Sequence, residues 1–168
     1  MQQSDGWVYQ VNQSSNAKNK GYNIVNASIS GETTGGGLSR FPGILSKQSF
    51  DYLIIELGGN DGLRGFPPKT IRNNLLQIIE LAKEQDIKVS LMQIQIPPNY
   101  GPRYNKMFTQ VFSTVAEESE ITLLPFFMND IAIDPALMQN DGIHPNVKAQ
   151  PLIADFMKDV IEQQVLTQ

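Results

Sequence analysis

A single histidine near the end of the chain offers acid–base chemistry. His144 is the only histidine among 168 residues, and it follows Asp141 by three positions in the segment Asp-Gly-Ile-His-Pro, just before a predicted helix. Imidazole side chains titrate near neutral pH in general, so they can take up and return a proton. A nearby carboxylate can orient the ring and stabilise its protonated form. The spacing predicts a base with its orienting carboxylate, and it leaves a surface or helix-capping histidine as the alternative.

Two further stretches carry groups that could donate hydrogen bonds to a developing negative charge. Gly31 follows a predicted strand at a tight turn, where a glycine lets the backbone N–H approach a ligand. Asn60 lies in Gly-Gly-Asn-Asp-Gly after an apolar run, and its side-chain amide could serve an oxyanion. An ordinary turn glycine and an Asx-turn residue are the alternatives. Together with Asp141 and His144, these residues predict most of a serine-hydrolase site.

The elements that must position these residues alternate between strands and helices. Apolar runs predict strands over residues 22–28, 52–57, 89–96 and 121–124, and the run at 52–57 is typical of a strand covered on both faces. Helical spacing predicts helices over residues 4–13, 38–45, 69–85, 103–118 and 147–165, with a loop over residues 14–20. This alternation predicts an α/β fold with a parallel sheet. Chemistry in such sheets collects at the carboxyl ends of the strands, where all three motifs fall.

Composition limits the class of protein. The length fits one domain, and 40% hydrophobic residues are enough for a core. A net charge of −4 without a basic cluster argues against a nucleic-acid partner. The absence of cysteine excludes disulfides, and with one histidine no zinc site is expected. No apolar run of membrane-spanning length and no signal peptide are visible.

The three motifs resemble those of one hydrolase family. Residues 26–33 (Asn-Ala-Ser-Ile-Ser-Gly-Glu-Thr), 56–65 (Glu-Leu-Gly-Gly-Asn-Asp-Gly-Leu-Arg-Gly) and 141–145 are similar to blocks two, three and five of the SGNH (GDSL) hydrolases. The resemblance implies a flavodoxin-like three-layer α/β/α fold and hydrolysis of acyl esters or thioesters, of the esterase, thioesterase or lysophospholipase type. It implies that Gly31 and Asn60 are oxyanion donors, that His144 is the base and that Asp141 holds it. Substrate-binding side chains are expected from the neighbouring apolar loops, at Leu63, Phe66, Pro97 and Tyr100, with packing of the rim as the alternative.

One part of the family pattern has no counterpart. The family's first block is a buried strand followed by Gly-Asp-Ser-Leu, whose serine is the nucleophile, and nothing like it occurs here. We therefore expect a single hydrolase domain, residues 1–168, that is N-terminally truncated and inactive as it stands. The missing central strand would lie between the strands at 22–28 and 52–57. Ser4, Ser28 and Ser30 are weaker candidates for a replacement nucleophile. Ser4 follows no strand–turn–helix elbow, and the backbone of Ser30 is committed to the turn at Gly31.

Rival functions make different demands on the sequence. A non-catalytic acyl-binding remnant of the same fold is the alternative to a hydrolase, although such a remnant has no reason to keep four site residues. A nucleotide binder is disfavoured because no phosphate-cradling glycine loop follows a first strand. We expect no cofactor, no metal, a small-molecule acyl ester or thioester as the partner, and a monomer. The resemblance implies the periplasm, with the cytoplasm as the alternative.

Overall fold

A computed structural model describes residues 5–17 and 21–168 of the chain. In chain order its elements are α1 (Trp7–Ala17), α2 (Thr34–Leu45), β1 (Tyr52–Ile55), α3 (Gly59–Leu63), α4 (Pro68–Lys83), β2 (Lys88–Met92), α5 (Pro102–Glu118), β3 (Thr122–Leu124), α6 (Met128–Ile131) and α7 (Gln150–Val160). Short 3₁₀ turns occur at Pro98–Tyr100, Pro135–Leu137 and Val147–Ala149, and a π-helical turn at Ile161–Val165 follows α7. No helix in the described ranges is long and apolar enough to cross a bilayer.

The chain divides into two compact units. One unit, the sheet unit, comprises Ser28–Phe126 with Gln168, and the other, the helical unit, comprises the described residues up to Ala27 with Phe127–Thr167. The sheet unit contains three parallel strands in the order β1-β2-β3, with Tyr52 opposite Lys88 and Met92 opposite Leu124. The predicted α/β class with a parallel sheet is therefore confirmed.

The core of the sheet unit lies between β2 and the two long helices α4 and α5. Their apolar residues recur at helical spacing, and those that face inward are fully or almost fully buried: Ile71, Leu75, Ile78, Ile79, Phe108, Phe112 and Val115. From Val89 onward every residue of β2 is buried, as expected for a strand with a partner on each side. In β1 only Ile55 is buried and the other three residues are partly exposed, so the expectation of a strand covered on both faces is wrong. Among the described residues, β1 has β2 as its single partner strand.

The helical unit rests on the packing of α1 against α7. Val11 of α1 and Ile153 of α7 are each about 1% exposed, and the Trp7 backbone N–H donates to Gln150 Oε1 over 3.0 Å. That bond satisfies an N–H at the start of α1 that no turn of helix can pair. The predicted helix at 4–13 therefore exists but ends later, at Ala17, and the loop expected from residue 14 is wrong up to that point. Ser4 and residues 18–20 lie outside the described residues.

The strand predicted over residues 22–28 does not form. This segment is irregular in the structure, and Val25 is 48% exposed. The Asn12 side chain bonds both main-chain groups of Ile24, accepting from its N–H over 2.7 Å and donating to its carbonyl over 2.8 Å. These are the groups that a neighbouring strand would pair. An extended segment without a partner strand cannot build a ladder, which explains why the apolar run alone was misleading.

Candidate active site

His144 and Asp141 form a direct pair in the helical unit. Nδ1 of His144 lies 2.7 Å from Oδ2 of Asp141. An ionised carboxylate can only accept, so Nδ1 carries the proton and the lone pair of the neutral ring lies at Nε2. The His144 side chain is 58% exposed, and within the described ranges Nε2 has no hydrogen-bond partner. The arrangement is that of a general base held in one tautomer by a carboxylate.

Hydrogen bonds from backbone N–H groups to the Asp141 side chain fix the loop that carries this pair. Oδ1 of Asp141 accepts from the backbone N–H of Ile143 at 2.9 Å and of His144 at 3.0 Å, which closes an Asx-type turn. The Gln139 N–H donates to the His144 carbonyl over 2.8 Å, and Met138 and Pro145 form an isolated antiparallel bridge. The three-residue spacing read from the sequence is therefore the spacing that lets one carboxylate hold both the turn and the ring.

Asp141 stays ionised because of the same contacts. The His144 backbone N–H, then the His144 ring, then the Ile143 N–H hold the pKa of Asp141 well below its usual range. Each of these donors stabilises the charged form, and together they outweigh the desolvation that acts in the opposite direction. Asp141 therefore remains a carboxylate across the whole range in which an imidazole titrates.

Gly31 and Asn60 meet in the sheet unit through the loop that follows Gly31. The Asn60 side-chain amide donates to the Glu32 carbonyl over 3.0 Å, and the Arg64 guanidinium donates to the Gly31 carbonyl over 3.2 Å. A primary amide has two N–H groups, so one bond to Glu32 orients the other N–H for a further acceptor. Gly31 has a φ of +77° and no atom within 4 Å of where a Cβ would stand, which suits a backbone N–H that must be approached closely.

A second glycine explains how Asn60 is placed. Gly58 has a φ of +111°, and a Cβ there would lie 2.9 Å from the Phe112 ring. The chain therefore turns from β1 directly into the short helix α3, with Asn60 at its second position. Asn60 thus stands one turn beyond the carboxyl end of a parallel strand, where ligands of such sheets bind.

The four predicted substrate-binding residues are brought into two linked loops of the sheet unit. The Tyr100 hydroxyl donates to the Leu63 carbonyl over 3.0 Å, and Asn105 donates to the Pro97 carbonyl over 3.0 Å. A neighbouring tyrosine, Tyr104, donates to the Phe66 carbonyl over 2.7 Å. Phe66 itself is 37% exposed, whereas Leu63, Pro97 and Tyr100 are half-buried. The two loops therefore form one connected rim with apolar side chains.

The sequence analysis did not identify three polar residues that bond one another beside Gly31 and Asn60. Asp61 and Thr34 are both fully buried and bond each other through two hydrogen bonds, and Asn74 donates to the Thr34 hydroxyl. The sequence feature that could have indicated this role is the carboxylate of Asp61, directly after Asn60 in a glycine-rich segment. Its partner lies 27 positions earlier, and no spacing rule connects the two.

The structure brings the predicted site residues together in two groups. His144 with Asp141 belongs to the helical unit, whereas Gly31, Asn60 and the rim residues belong to the sheet unit. Within residues 5–17 and 21–168, no cluster of three His, Cys, Asp or Glu side chains could hold a metal ion. A cavity of about 520 Å³ lies at the amino-terminal ends of β2 and β3, lined by residues that include Lys88 and Thr122. It opens at the edge of the sheet opposite to Asn60 and is not a candidate for the chemistry.

Comparison with known proteins supports a hydrolase class. The chain is 48% identical over 134 residues to an arylesterase of Vibrio mimicus, an alignment that covers 80% of this chain and 67% of that protein. It is 48% identical over 134 residues to thioesterase 1/protease 1/lysophospholipase L1 of Escherichia coli K12, covering 80% of this chain and 64% of that protein. The chain thus spans about two thirds of the length of these relatives.

Solved structures agree with the fold. The psychrotrophic esterase EstA from Pseudoalteromonas sp., in a structure inhibited by monoethylphosphonate, superposes with a TM-score of 0.95 at 47% identity, covering 97% of this chain and 89% of that one. The parallel α/β fold of this chain is therefore shared with a solved esterase. Residues 2–151 match the GDSL-like Lipase/Acylhydrolase family, and the chain belongs to that family.

Proposed function

We propose that this chain is the larger part of a serine hydrolase that cleaves acyl esters or thioesters. His144 is the general base, Asp141 holds its ring, and the Gly31 N–H and the Asn60 amide stabilise the oxyanion. The observation that carries this proposal is the 2.7 Å contact between His144 Nδ1 and Asp141 Oδ2, which leaves Nε2 as the basic atom. Membership of the acylhydrolase family supports the reaction type.

Each residue has a defined part in the reaction. The nucleophilic hydroxyl gives its proton to His144 Nε2 as its oxygen attacks the acyl carbon, and the carbonyl oxygen becomes an oxyanion. The donors from Gly31 and Asn60 stabilise that charge. The imidazolium then protonates the departing alcohol or thiol, and the same base activates a water that releases the acid. Asp141 remains a carboxylate throughout and stabilises the imidazolium.

We propose that these 168 residues do not supply the nucleophile. We infer that it is the serine of a Gly-Asp-Ser-Leu block carried by sequence outside them, as the resemblance implies. The relatives extend well beyond the aligned residues, which supports this inference. Ser30 is a poor substitute because its neighbours are committed to the turn closed by the Glu32 N–H and the Ile29 carbonyl at 3.2 Å.

The rim residues support the proposed substrate class. The side chains of Leu63, Phe66, Pro97 and Tyr100 offer an apolar surface with few charges, which suits an acyl chain or an aryl ester. The names of the relatives, arylesterase and thioesterase, support esters and thioesters alike. We propose a periplasmic location and a monomeric state on the basis of family resemblance.

Turnover of p-nitrophenyl esters tests the proposal. We define the extended enzyme as these 168 residues preceded by their own in-frame upstream sequence or, in its place, by the strand and Gly-Asp-Ser-Leu block of a relative. We expect the extended enzyme to turn over the ester and to be labelled by a phosphonate at that serine. The 168 residues alone should show activity lower by on the order of 10⁶, the cost of losing a serine nucleophile.

Two outcomes would contradict the proposal. Turnover of a few per second by the 168 residues, lost on changing Ser28 or Ser30 to Ala, would place the nucleophile within them. An extended enzyme that binds fatty acyl ligands but hydrolyses no ester or thioester would favour a non-catalytic acyl-binding domain.

A further inference from the structure

The buried pair formed by Asp61 and Thr34 joins the two segments that carry the oxyanion donors. The Thr34 backbone N–H donates to Asp61 Oδ2 over 2.8 Å, and the Thr34 hydroxyl donates to Asp61 Oδ1 over 2.5 Å. Both residues are fully buried. Because an ionised carboxylate that is removed from water must be matched by donors, this pairing has few alternative geometries. It links the first residue of α2 to the residue that follows Asn60.

A third residue fixes the direction of the Thr34 hydroxyl. The Asn74 side-chain amide donates to Thr34 Oγ1 over 2.9 Å, so the hydroxyl accepts from α4 while it donates to Asp61. A hydroxyl has one proton and two lone pairs, and both directions are used here. A side chain of the same shape without the hydroxyl would leave Asp61 short of a donor.

The hydrogen bonds of the buried pair are the most fully buried of the side-chain hydrogen bonds on residues 31–34, which also include the ion pair between Arg40 and Glu32. The bond from Arg64 to the Gly31 carbonyl is exposed, and the bond from Asn60 to the Glu32 carbonyl is only partly buried. The contact between Asp61 and Thr34 is doubly hydrogen-bonded, charge-assisted and excluded from water. Asp61 also satisfies an N–H in the first turn of α2, where negative charge is favourable.

We propose that Asp61 and Thr34 are positioning residues that set the separation between the Gly31 N–H and the Asn60 amide. The proposal rests on the oxyanion role given to those two groups above. Donors stabilise an oxyanion well only when they are held in place before the charge develops, and errors of about 0.5 Å are costly. The buried pair therefore acts on catalysis through Gly31 and Asn60, without contact with the substrate.

Kinetics of the extended enzyme test the proposal, with Thr34→Val as the main variant. Valine keeps the branched shape but removes the hydroxyl, and we expect kcat to fall by about 10- to 100-fold with KM within about twofold. Thr34→Ser, which keeps the hydroxyl, should retain kcat within about threefold. Thr70→Val, at an exposed threonine of α4, is the matched control and should leave both constants unchanged.

A double-mutant cycle separates positioning from general stability. If Thr34 acts through Asn60, Thr34→Val should cost much less in an Asn60→Ala background than in the wild type. Equal costs in both backgrounds, or a raised KM with kcat intact, would overturn the proposal. Asn74→Ala removes one donor from the half-buried edge of the network, and a kcat loss of about three- to tenfold is expected. If Thr34→Val does not fold, Asn74→Ala takes its place in the test. An unchanged kcat in Asn74→Ala would count against a positioning role of the network.

A spectroscopic readout keeps this test apart from the test of function. In ¹⁵N NMR spectra of the extended enzyme, Thr34→Val should shift the Gly31 backbone amide and the Asn60 side-chain amide, whereas Thr70→Val should not. Unmoved resonances in folded Thr34→Val would overturn the positioning role even if the enzyme is active. Shifted resonances in a protein that hydrolyses no ester would instead refute the proposed function.

Discussion

The Asn60 side chain donates to the Glu32 carbonyl over 3.0 Å, so the residue that follows β1 is bonded to the loop that follows Gly31. Two segments almost 30 positions apart in sequence thus share one polar contact at the carboxyl end of a parallel strand. The contact leaves one amide N–H of Asn60 available and fixes its direction. The first prediction concerns Asn60, and the second concerns the proposed base His144 and its partner Asp141.

Removing the Asn60 amide should affect the chemical step more than binding. In the extended enzyme we expect Asn60→Ala to lower kcat by about 10²–10³ with little change in KM, because the donor acts mainly on the oxyanion. Steady-state kinetics with a p-nitrophenyl ester measure both constants. Asn73→Ala, at an exposed asparagine on α4, is the control. A raised KM with unchanged kcat would assign Asn60 to ground-state binding.

Removing the base or its partner should be far more severe. We expect His144→Ala to lower kcat by on the order of 10⁶ and Asp141→Asn by about 10⁴, since the amide favours the wrong tautomer. The pKa of Asp141 is lowered, so the stability that its charge gives to the loop is present above the ordinary carboxyl range. That stability is lost only as the pH falls below that range. The acid limb of kcat/KM should therefore show no ionisation that belongs to Asp141. An ionisation at about pH 4 that disappears in Asp141→Asn would contradict this assignment.

The bond from Tyr100 to Leu63 should matter for substrate binding. Tyr100→Phe removes a hydroxyl that donates to the Leu63 carbonyl over 3.0 Å, and a partly buried bond of this kind is worth about 1 kcal/mol. We expect KM for longer acyl esters to rise by about three- to tenfold, because the rim loses one of its links, while kcat changes little. Tyr9→Phe, at an exposed residue of α1, is the matched control. A fall in kcat without a change in KM would place Tyr100 in the chemistry instead.

Glu56, the residue after β1, should make stability depend on pH. Burial raises the pKa of Glu56 to about 7. A raised carboxyl pKa means that the folded state favours the protonated form, so stability is full below the ordinary glutamate value and declines as the pH rises towards 7. The side chain is also partly exposed, and water there reduces the cost of ionisation, so we expect a smaller change in stability with pH than full burial would give. Glu56→Gln should flatten the thermal midpoint between pH 5 and pH 8, and an unchanged slope would refute the assignment. Glu80→Gln, an exposed residue of α4, is the control.

The edge of β1 should limit the stability of the 168 residues alone. β1 is Tyr-Leu-Ile-Ile, a sequence typical of a strand with covered faces, yet among the described residues it pairs with β2 alone. Open apolar edges invite pairing with other chains. We expect a thermal midpoint below about 50 °C, concentration-dependent association, and a higher midpoint when a peptide with an apolar strand and Gly-Asp-Ser-Leu is added. A scrambled peptide is the control. Cooperative unfolding of the monomer above about 50 °C would contradict this prediction.

Local patterns in the sequence were enough to predict the parallel α/β class, the long helices α4 and α5, and the candidate base beside its carboxylate. The helices follow from apolar residues at helical spacing. Asp141 lies three residues before His144, a separation at which its carboxylate bonds the His144 backbone N–H within an Asx-type turn. The proposed assignment of Gly31 and Asn60 likewise drew on motifs of a few residues. For the two helices and for Asp141 with His144 the interacting groups are close in sequence, so their spacing carries the information.

Only the tertiary structure decided what depends on partners distant in sequence. Residues 22–28 contain an apolar run like that of a strand, but whether they form a strand depends on a neighbouring strand. In the structure the Asn12 side chain bonds the backbone N–H and carbonyl of Ile24 instead. The buried bonds between Asp61 and Thr34 join positions 27 residues apart, and either residue alone resembles an ordinary polar residue in a turn. Such long-range pairs leave no periodic trace in a sequence, because the fold that brings them together is specified by all the packed residues at once.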